Sequence, residues 1–337
     1  MKERIHWIDV FKGVCILMVV VHHAPFNVSN DYPIWGYDWW NAIIIGFFMP
    51  AFFVITGYCS NFNTPFLPFL WKNIKTIIIP CFCLYYFNHW IEDAKYFFFC
   101  DADWITWSHF FSPGIRTFIQ EGGYYWFLSA LFLAKMLYYL INRLLKSVVS
   151  KILLSLFLLC FGVICANLDT VHNYFYWQQA MILTLYLPLG VLLKEHGEII
   201  KNKGWMSLLA YVALVSMLAL MGKNVPSVTR TIDVSVLTIP MYIILSLTGT
   251  LAVWWLSETI GKSLPLEYLG RNTIIIYTLN FSVLGLVSSC LFMIYQPQNV
   301  LSFNLMFWVM IIISIIILSF LTWLLNVKYV RCILGKF

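Results

Sequence analysis

The chain has 337 residues, of which 61% are hydrophobic and only 11% are charged, and its mean hydropathy is +0.81. Soluble proteins average about half apolar and about a quarter charged residues, so this composition excludes a soluble globular domain and indicates an integral membrane protein. The net charge of +6 comes from basic residues scattered over short segments. This pattern argues against binding to nucleic acid and is better explained by membrane topology.

The first apolar segment, Ile5 to His23, predicts a transmembrane helix. Asp9 and Lys12 interrupt its apolar run, and it ends on histidines instead of a small-residue cleavage site, so we expect it to be retained and not removed as a signal peptide. Lys12 and His23 are eleven residues apart, which is about three turns and about 16 Å along a helix. Both side chains should therefore lie on one stripe, which suggests a pathway between the two membrane surfaces.

Apolar runs of about the 17 to 25 residues needed to cross a bilayer recur along the whole chain. They are predicted at about 8–26, 41–60, 74–91, 124–142, 152–168, 178–193, 204–222, 236–256, 273–295 and 304–326. The sequence thus predicts an all-α integral membrane protein with about ten transmembrane helices. Residues 1–337 are expected to form a single transmembrane domain, without a separate soluble one.

The distribution of positive charge predicts the orientation in the membrane. If the N-terminus is cytoplasmic, sixteen of the 21 Lys and Arg residues lie inside, four lie outside and Lys135 falls within a span. Cytoplasmic loops carry an excess of Lys and Arg, so we expect both termini in the cytoplasm and the helices surrounded by membrane lipids. The nine cysteines fall mostly in apolar runs and predict neither a disulfide framework nor a metal site.

Several titratable residues are candidates for chemistry. His23, at the predicted outer end of the first span, could accept a proton as a general base, although an interfacial histidine can also be purely structural. Asp9 and Lys12 are spaced to pair on one helix, and charges at a membrane edge are functional candidates, although Lys12 could simply anchor the helix. Glu121, in a long aromatic outer loop (92–123), could bind a polar ligand at the outer face or only be solvated. Trp126 could line a cavity or only pack.

Six stretches of the chain, in order, resemble the acyltransferase family 3 membrane proteins. The first is WIDVFKG followed by His23, eleven residues after Lys12. The other five are FFMPAFFVITGY (Phe47–Tyr58), FLWKNIKTIIIP (Phe69–Pro80), YYWFLSALF (Tyr124–Phe132), LPLGVLLK (Leu187–Lys194) and LEYLGRNTIIIYTLNF (Leu266–Phe281). Most members of the family have arginine at the position of Lys12. Lysine at this position resembles the fucose 4-O-acetylase-like branch of the family.

The resemblance implies transfer of an acyl group, usually acetyl, from cytoplasmic acetyl-CoA or another acyl-CoA. The implied acceptor is a hydroxyl of a surface carbohydrate or of its lipid-linked sugar precursor. His23 matches the family's essential histidine, Lys12 its basic partner and Asp9 its acidic companion. Lys72 and Lys75 match a basic pair that would bind the donor's phosphates, although membrane topology also explains these two lysines. No permanently bound cofactor is implied.

Two positions depart from the family pattern. Phe48 and Asn280 stand where many relatives have histidine, and we expect Asn280, with Trp126 and Glu121, to contact the acceptor. Two explanations fit these departures. The protein could bind its acceptor differently, or it could be an inactive partner in a polysaccharide assembly complex. A different class of function also remains open, namely a transporter or flippase for a glycan precursor in which Lys12, His23 and Lys135 line the route.

Overall fold

The computed structural model describes residues 5–28, 32–99, 125–168, 170–327 and 334, which are almost entirely helical. The helices in chain order are α1 (His6–His23), α2 (Tyr37–Ile45), α3 (Phe48–Cys59), α4 (Phe66–Asn73), α5 (Ile79–Phe99), α6 (Trp126–Leu144), α7 (Val148–Ala166), α8 (Trp177–Thr184), α9 (Tyr186–Leu220), α10 (Ile239–Ile260), α11 (Leu264–Arg271), α12 (Thr273–Ile294) and α13 (Val300–Leu325). Short helical turns are Ala24–Asn27, Ile74–Ile78, Tyr174–Tyr176 and Val236–Thr238. Strands β1 (Ser227–Val228) and β2 (Ile232–Asp233) pair antiparallel in a connecting segment.

Ten helical stretches among the described residues are long and apolar enough to cross a membrane. They are His6–Asn27, Tyr37–Cys59, Phe66–Asp93, Trp126–Leu144, Val148–Ala166, Tyr174–Glu195, Asn202–Leu220, Val236–Ile260, Thr273–Ile294 and Val300–Leu325. Each overlaps one predicted span. The prediction of an all-α, multi-pass membrane protein is confirmed.

The third span is longer at both ends than its predicted limits of 74 and 91. At its start, a π-helical turn, Ile74–Ile78, joins α4 to α5 without a break. At its end, α5 continues to Phe99. In this last part of the helix, side chains one turn apart form pairs, His89 with Asp93 at 3.3 Å and Glu92 with Lys95 at 3.8 Å. Such pairs favour helix continuation. The remainder of the predicted aromatic loop lies outside the described residues.

Helix α9 is not straight, because its two halves contact the same neighbouring segment. Gly190 lies against the backbone of Val54, and the Tyr211 ring packs 5.1 Å from the Phe47 ring. Gly190 and Tyr211 would be about 31 Å apart on a straight helix, whereas Val54 and Phe47 are separated by about 10 Å. The sixth and seventh spans therefore both pack against the segment that holds Phe47 and Val54.

Glycines bring the helices around α1 and α3 into backbone contact. A Cβ atom at Gly13 of α1 would overlap the carbonyl of Leu266 in α11, and one at Gly270 of α11 would overlap the carbonyl of Asp9. Gly57 of α3 lies in the same way against Leu187 of α9. Small residues allow such close approach between membrane helices. The short helix α11 is thus held directly against the first turns of α1.

Candidate active site

The stripe of α1 that carries Lys12 and His23 faces the interior of the helix bundle. The helix is unbroken from His6 to His23, so the two residues share one face as predicted. Ile16 and Val19, which lie between them on that face, are 1% and 0% exposed. Helix α1 packs against α3, α10, α11 and α12. We call the end of the bundle with Lys12 the lysine end and the end with His23 the histidine end.

His23 contacts the side chain of Asn280 in α12. Its ring nitrogen Nδ1 lies 2.6 Å from Asn280 Oδ1, and Asn280 is fully buried. The side-chain amide of Asn27 donates a hydrogen bond to the backbone carbonyl of His23 at 3.0 Å. Asn280 is 257 residues away in the sequence and holds the His23 ring, whereas Asn27, in the turn that follows α1, holds the backbone of His23.

His22 is held in a similar way but in different surroundings. Its Nδ1 lies 2.8 Å from Oδ1 of Asn41 in α2, and its ring packs against Phe48, with centroids 5.3 Å apart. The rings of His22 and His23 are 5.5 Å apart. The two departures from the family pattern, Phe48 and Asn280, are thus the neighbours of the two histidines.

The other predicted acceptor residues are less directly connected to His23. Trp126 is the first residue of α6, is buried and packs against Phe127. The backbone N–H of Phe127 donates to the Tyr277 hydroxyl at 3.3 Å, and Tyr277 is one turn before Asn280 in α12. An acceptor-binding role for Trp126 stays a prediction. Glu121 lies outside the described residues.

Lysines from three helices converge on Cys59, the last residue of α3. Lys12 of α1, Lys135 of α6 and Lys194 of α9 all lie close enough to the Cys59 side chain to interact with it electrostatically, and the carboxylate of Asp9 does so too. Lys72 of α4 interacts in the same way with Lys135. Lys135 and Lys194 were not singled out from the sequence as donor-binding residues. The position of Lys135 inside an apolar span was the available signal, because such a lysine needs a polar environment.

Lys75 differs from the rest of the predicted donor-binding set. Its ammonium group lies over the ring of Trp71, 5.1 Å from the centroid, whereas Lys72 is exposed and near Lys135. The structure therefore places Lys12, Lys135 and Lys194 around Cys59 and Lys72 near Lys135. Donor binding by Lys75 stays a prediction.

A cavity of about 180 Å³ lies beside these lysines at the lysine end. Its polar lining comes from the segment after α3 and from two further helices, and comprises Ser60, Asn61, Asn63, Asn142 and Lys194. Lys151 donates to the Asn142 side-chain oxygen at 2.8 Å, and Arg143 donates to the backbone carbonyls of Asn63 and Thr64. The cavity therefore has amide, hydroxyl and ammonium groups in its wall beside the apolar side chains of Phe62 and Val191, and cationic side chains lie next to it.

An ion-pair network joins α1 to α11 at the lysine end. Arg271 Nε lies 3.3 Å from Asp9 Oδ2, and the same guanidinium contacts Glu267. His6 Nδ1 lies 3.0 Å from Glu267 Oε2. The contact with His6, followed by the charge of Arg271, lowers the pKa of Glu267 below its usual value. Among the described residues Lys12 forms no ion pair, so the predicted pairing of Asp9 with Lys12 is replaced by one between Asp9 and Arg271.

A comparison with known protein families identifies the family of this chain. The model of the acyltransferase domain of acyltransferase family 3 matches residues 5–324, nearly the whole chain. The chain therefore belongs to acyltransferase family 3 and is a multi-pass membrane acyltransferase, and the predicted family is confirmed. No curated protein and no solved structure matches the chain. The closer similarity to fucose 4-O-acetylases stays a prediction.

Proposed function

We propose that the protein is an O-acyltransferase of a bacterial inner membrane. It transfers an acetyl group from cytoplasmic acetyl coenzyme A to a hydroxyl of a surface polysaccharide sugar, or of its lipid-linked precursor, on the other side. The observation that carries this proposal is the stripe of α1. Lys12 near one end and His23 at the other face the bundle interior and are separated by about 16 Å along the helix.

The lysine end is suited to the donor. Coenzyme A carries several phosphates, and ammonium groups bind phosphate oxygens through charge-assisted hydrogen bonds. Lys12, Lys72, Lys135 and Lys194 supply four such groups from four helices. With the nucleotide at this end, the pantetheine arm is directed along α1 toward His23.

The histidine end is suited to the acceptor. His23 takes the proton of the acceptor hydroxyl, and the oxygen attacks the carbonyl carbon of the thioester. The carbon–sulfur bond then breaks, and the thiolate of coenzyme A takes the proton from His23 to leave as the free thiol, which returns His23 to its neutral form. The products are the O-acetylated sugar and coenzyme A. Direct transfer of this kind needs no covalent enzyme intermediate.

Acetyl transfer by the purified protein tests the proposal. The protein in lipid nanodiscs would be given radiolabelled acetyl coenzyme A and the glycan fraction of the producing cells. We expect labelled glycan with the wild-type protein and a loss of at least about 100-fold with His23→Ala. His22→Ala is the matched control, since it removes the neighbouring imidazole and should retain most of the activity. Equal transfer by wild type and His23→Ala would remove His23 from the reaction.

A further inference from the structure

The contact between His23 and Asn280 determines which nitrogen of His23 is able to act as the base. The Asn280 side chain is fully buried and has two polar contacts. Its amide nitrogen Nδ2 donates to the backbone carbonyl of Tyr277 at 2.5 Å, and its oxygen Oδ1 lies 2.6 Å from His23 Nδ1.

The first contact fixes the orientation of the amide. If the amide were rotated by half a turn, its oxygen would face the carbonyl oxygen of Tyr277, and two acceptors would oppose each other in a buried site. The amide NH₂ group therefore faces Tyr277 and the amide oxygen faces His23.

An amide oxygen can only accept a hydrogen bond. Nδ1 of His23 must therefore carry the proton, and in the neutral imidazole Nε2 then has the free lone pair. A buried neutral partner differs from a carboxylate, because it selects the tautomer without adding a negative charge next to the ring.

We infer that Asn280 is a positioning residue, which holds His23 as the Nδ1–H tautomer and directs Nε2 toward the acceptor hydroxyl. The effect of this tautomer on catalysis rests on the proposed function. It also explains how the chain can lack the histidine that many relatives have at this position. The family departure at residue 280 then preserves the base and changes only the group that supports it.

His22 provides an internal comparison. Its Nδ1 also contacts an asparagine oxygen, at 2.8 Å from Asn41, but its ring is packed against Phe48 and it lies off the stripe of Lys12. The charged and titratable groups on the elements near His23 are His22 on α1, Tyr277 on α12, and Lys95 on α5, which lies beside Gly285 and pairs with Glu92 at 3.8 Å. Among the described residues, no carboxylate forms an ion pair or a hydrogen bond with the His23 ring, whose side-chain partner is Asn280.

Three variants separate positioning from a general structural role. Asn280→Leu should lower kcat by about 10- to 100-fold, less than loss of the base itself, and leave the KM for acetyl coenzyme A nearly unchanged. Asn280→Asp places a carboxylate opposite Nδ1 and favours the imidazolium. The acidic limb of the pH–rate profile should therefore move to higher pH, by about 1 to 3 units. Asn41→Leu, at the equivalent partner of His22, is the control and should leave kcat within about twofold.

The tautomer can be measured without any transfer. In ¹⁵N-histidine-labelled protein, the His23 signals are those lost in His23→Gln, and solid-state NMR then shows which nitrogen carries hydrogen. We expect a protonated Nδ1 and a bare Nε2 in the wild type, and a mixture of tautomers in Asn280→Leu.

The outcomes distinguish the inference from the proposed function. A protonated Nε2 in the wild type overturns the inference whether or not transfer is seen, as does a wild-type kcat in Asn280→Leu while His23→Ala is inactive. A protonated Nδ1 together with no acetyl transfer by wild type leaves the tautomer assignment standing and rejects the proposed function.

Discussion

The carboxylate of Asp9 and the guanidinium of Arg271 meet at 3.3 Å, although 262 residues separate them in the sequence. The contact joins α1 to α11 at the point where Gly270 lies against the Asp9 backbone. Asp9 therefore holds the lysine end of α1 in place, in addition to any effect on the donor. This gives the family's acidic companion a structural role in this chain.

We expect Asp9 and Arg271 to be energetically coupled. Asp9→Asn and Arg271→Gln should each lower the stability of the protein. The double variant should lose less stability than the two single variants added together. We expect a coupling energy of about 1 kcal/mol, because Arg271 is partly exposed. Thermal unfolding of the two single variants and the double variant in the same detergent measures the coupling. Strictly additive losses would show that the ion pair makes no contribution.

The close contact of α1 with α11 predicts a large effect of a single methyl group. Gly13→Ala places a Cβ atom into the backbone of Leu266, so the helices must move apart, at a cost of about 1 to 3 kcal/mol. Gly222→Ala is the control, because no atom lies within 4 Å of its added Cβ and only its positive φ of 63° opposes the change. Its cost should be about 1 kcal/mol. A smaller loss of thermal stability in Gly13→Ala than in Gly222→Ala would contradict the contact.

The sequence predicted the ten spans because hydropathy is a local property of each segment, and it predicted the shared stripe of Lys12 and His23 because both lie on one helix. The contacts of Asp9 with Arg271 and of His23 with Asn280 could not be predicted, because they depend on how distant helices pack. In the sequence, Asn280 stands out only as a departure from a family pattern, which predicts a contact with the acceptor. In the sequence, Lys194 is one of the predicted cytoplasmic lysines and the last residue of a family-like stretch, without a predicted role in donor binding.

We expect the newly recognised lysines to contribute to donor affinity. Lys135→Ala and Lys194→Ala should each weaken coenzyme A binding by about 1 to 2 kcal/mol, or about 5- to 30-fold, if each contacts a phosphate. Lys223→Ala is the matched control, since this exposed lysine lies in the segment after α9 and away from the cluster. Titration calorimetry with coenzyme A on the protein in nanodiscs measures the affinities. Equal affinities for all three variants and the wild type would exclude Lys135 and Lys194 from the donor site.

The low pKa of Glu267 predicts an acid-sensitive connection between α11 and α1. A carboxyl whose pKa is lower in the folded state stabilises the fold above its unfolded value of about 4.3, and this stabilisation is lost as pH falls through the folded pKa. The contact with His6 and the charge of Arg271 lower that pKa. Stability should therefore fall more steeply below about pH 4.3 in wild type than in Glu267→Gln. Parallel curves of melting temperature against pH for the two proteins would contradict this assignment.

Transfer across a sealed membrane tests the central claim most directly, since the donor is proposed to bind at the lysine end and the acceptor at the histidine end. Inside-out and right-side-out vesicles from producing cells would be given radiolabelled acetyl coenzyme A, which cannot cross the bilayer, and the label would be located with an esterase that also cannot cross. We expect label only in inside-out vesicles, on glycan protected from external esterase, and none with His23→Ala. Label on glycan at the same face as the added coenzyme A, or label that persists in His23→Ala, would contradict the account.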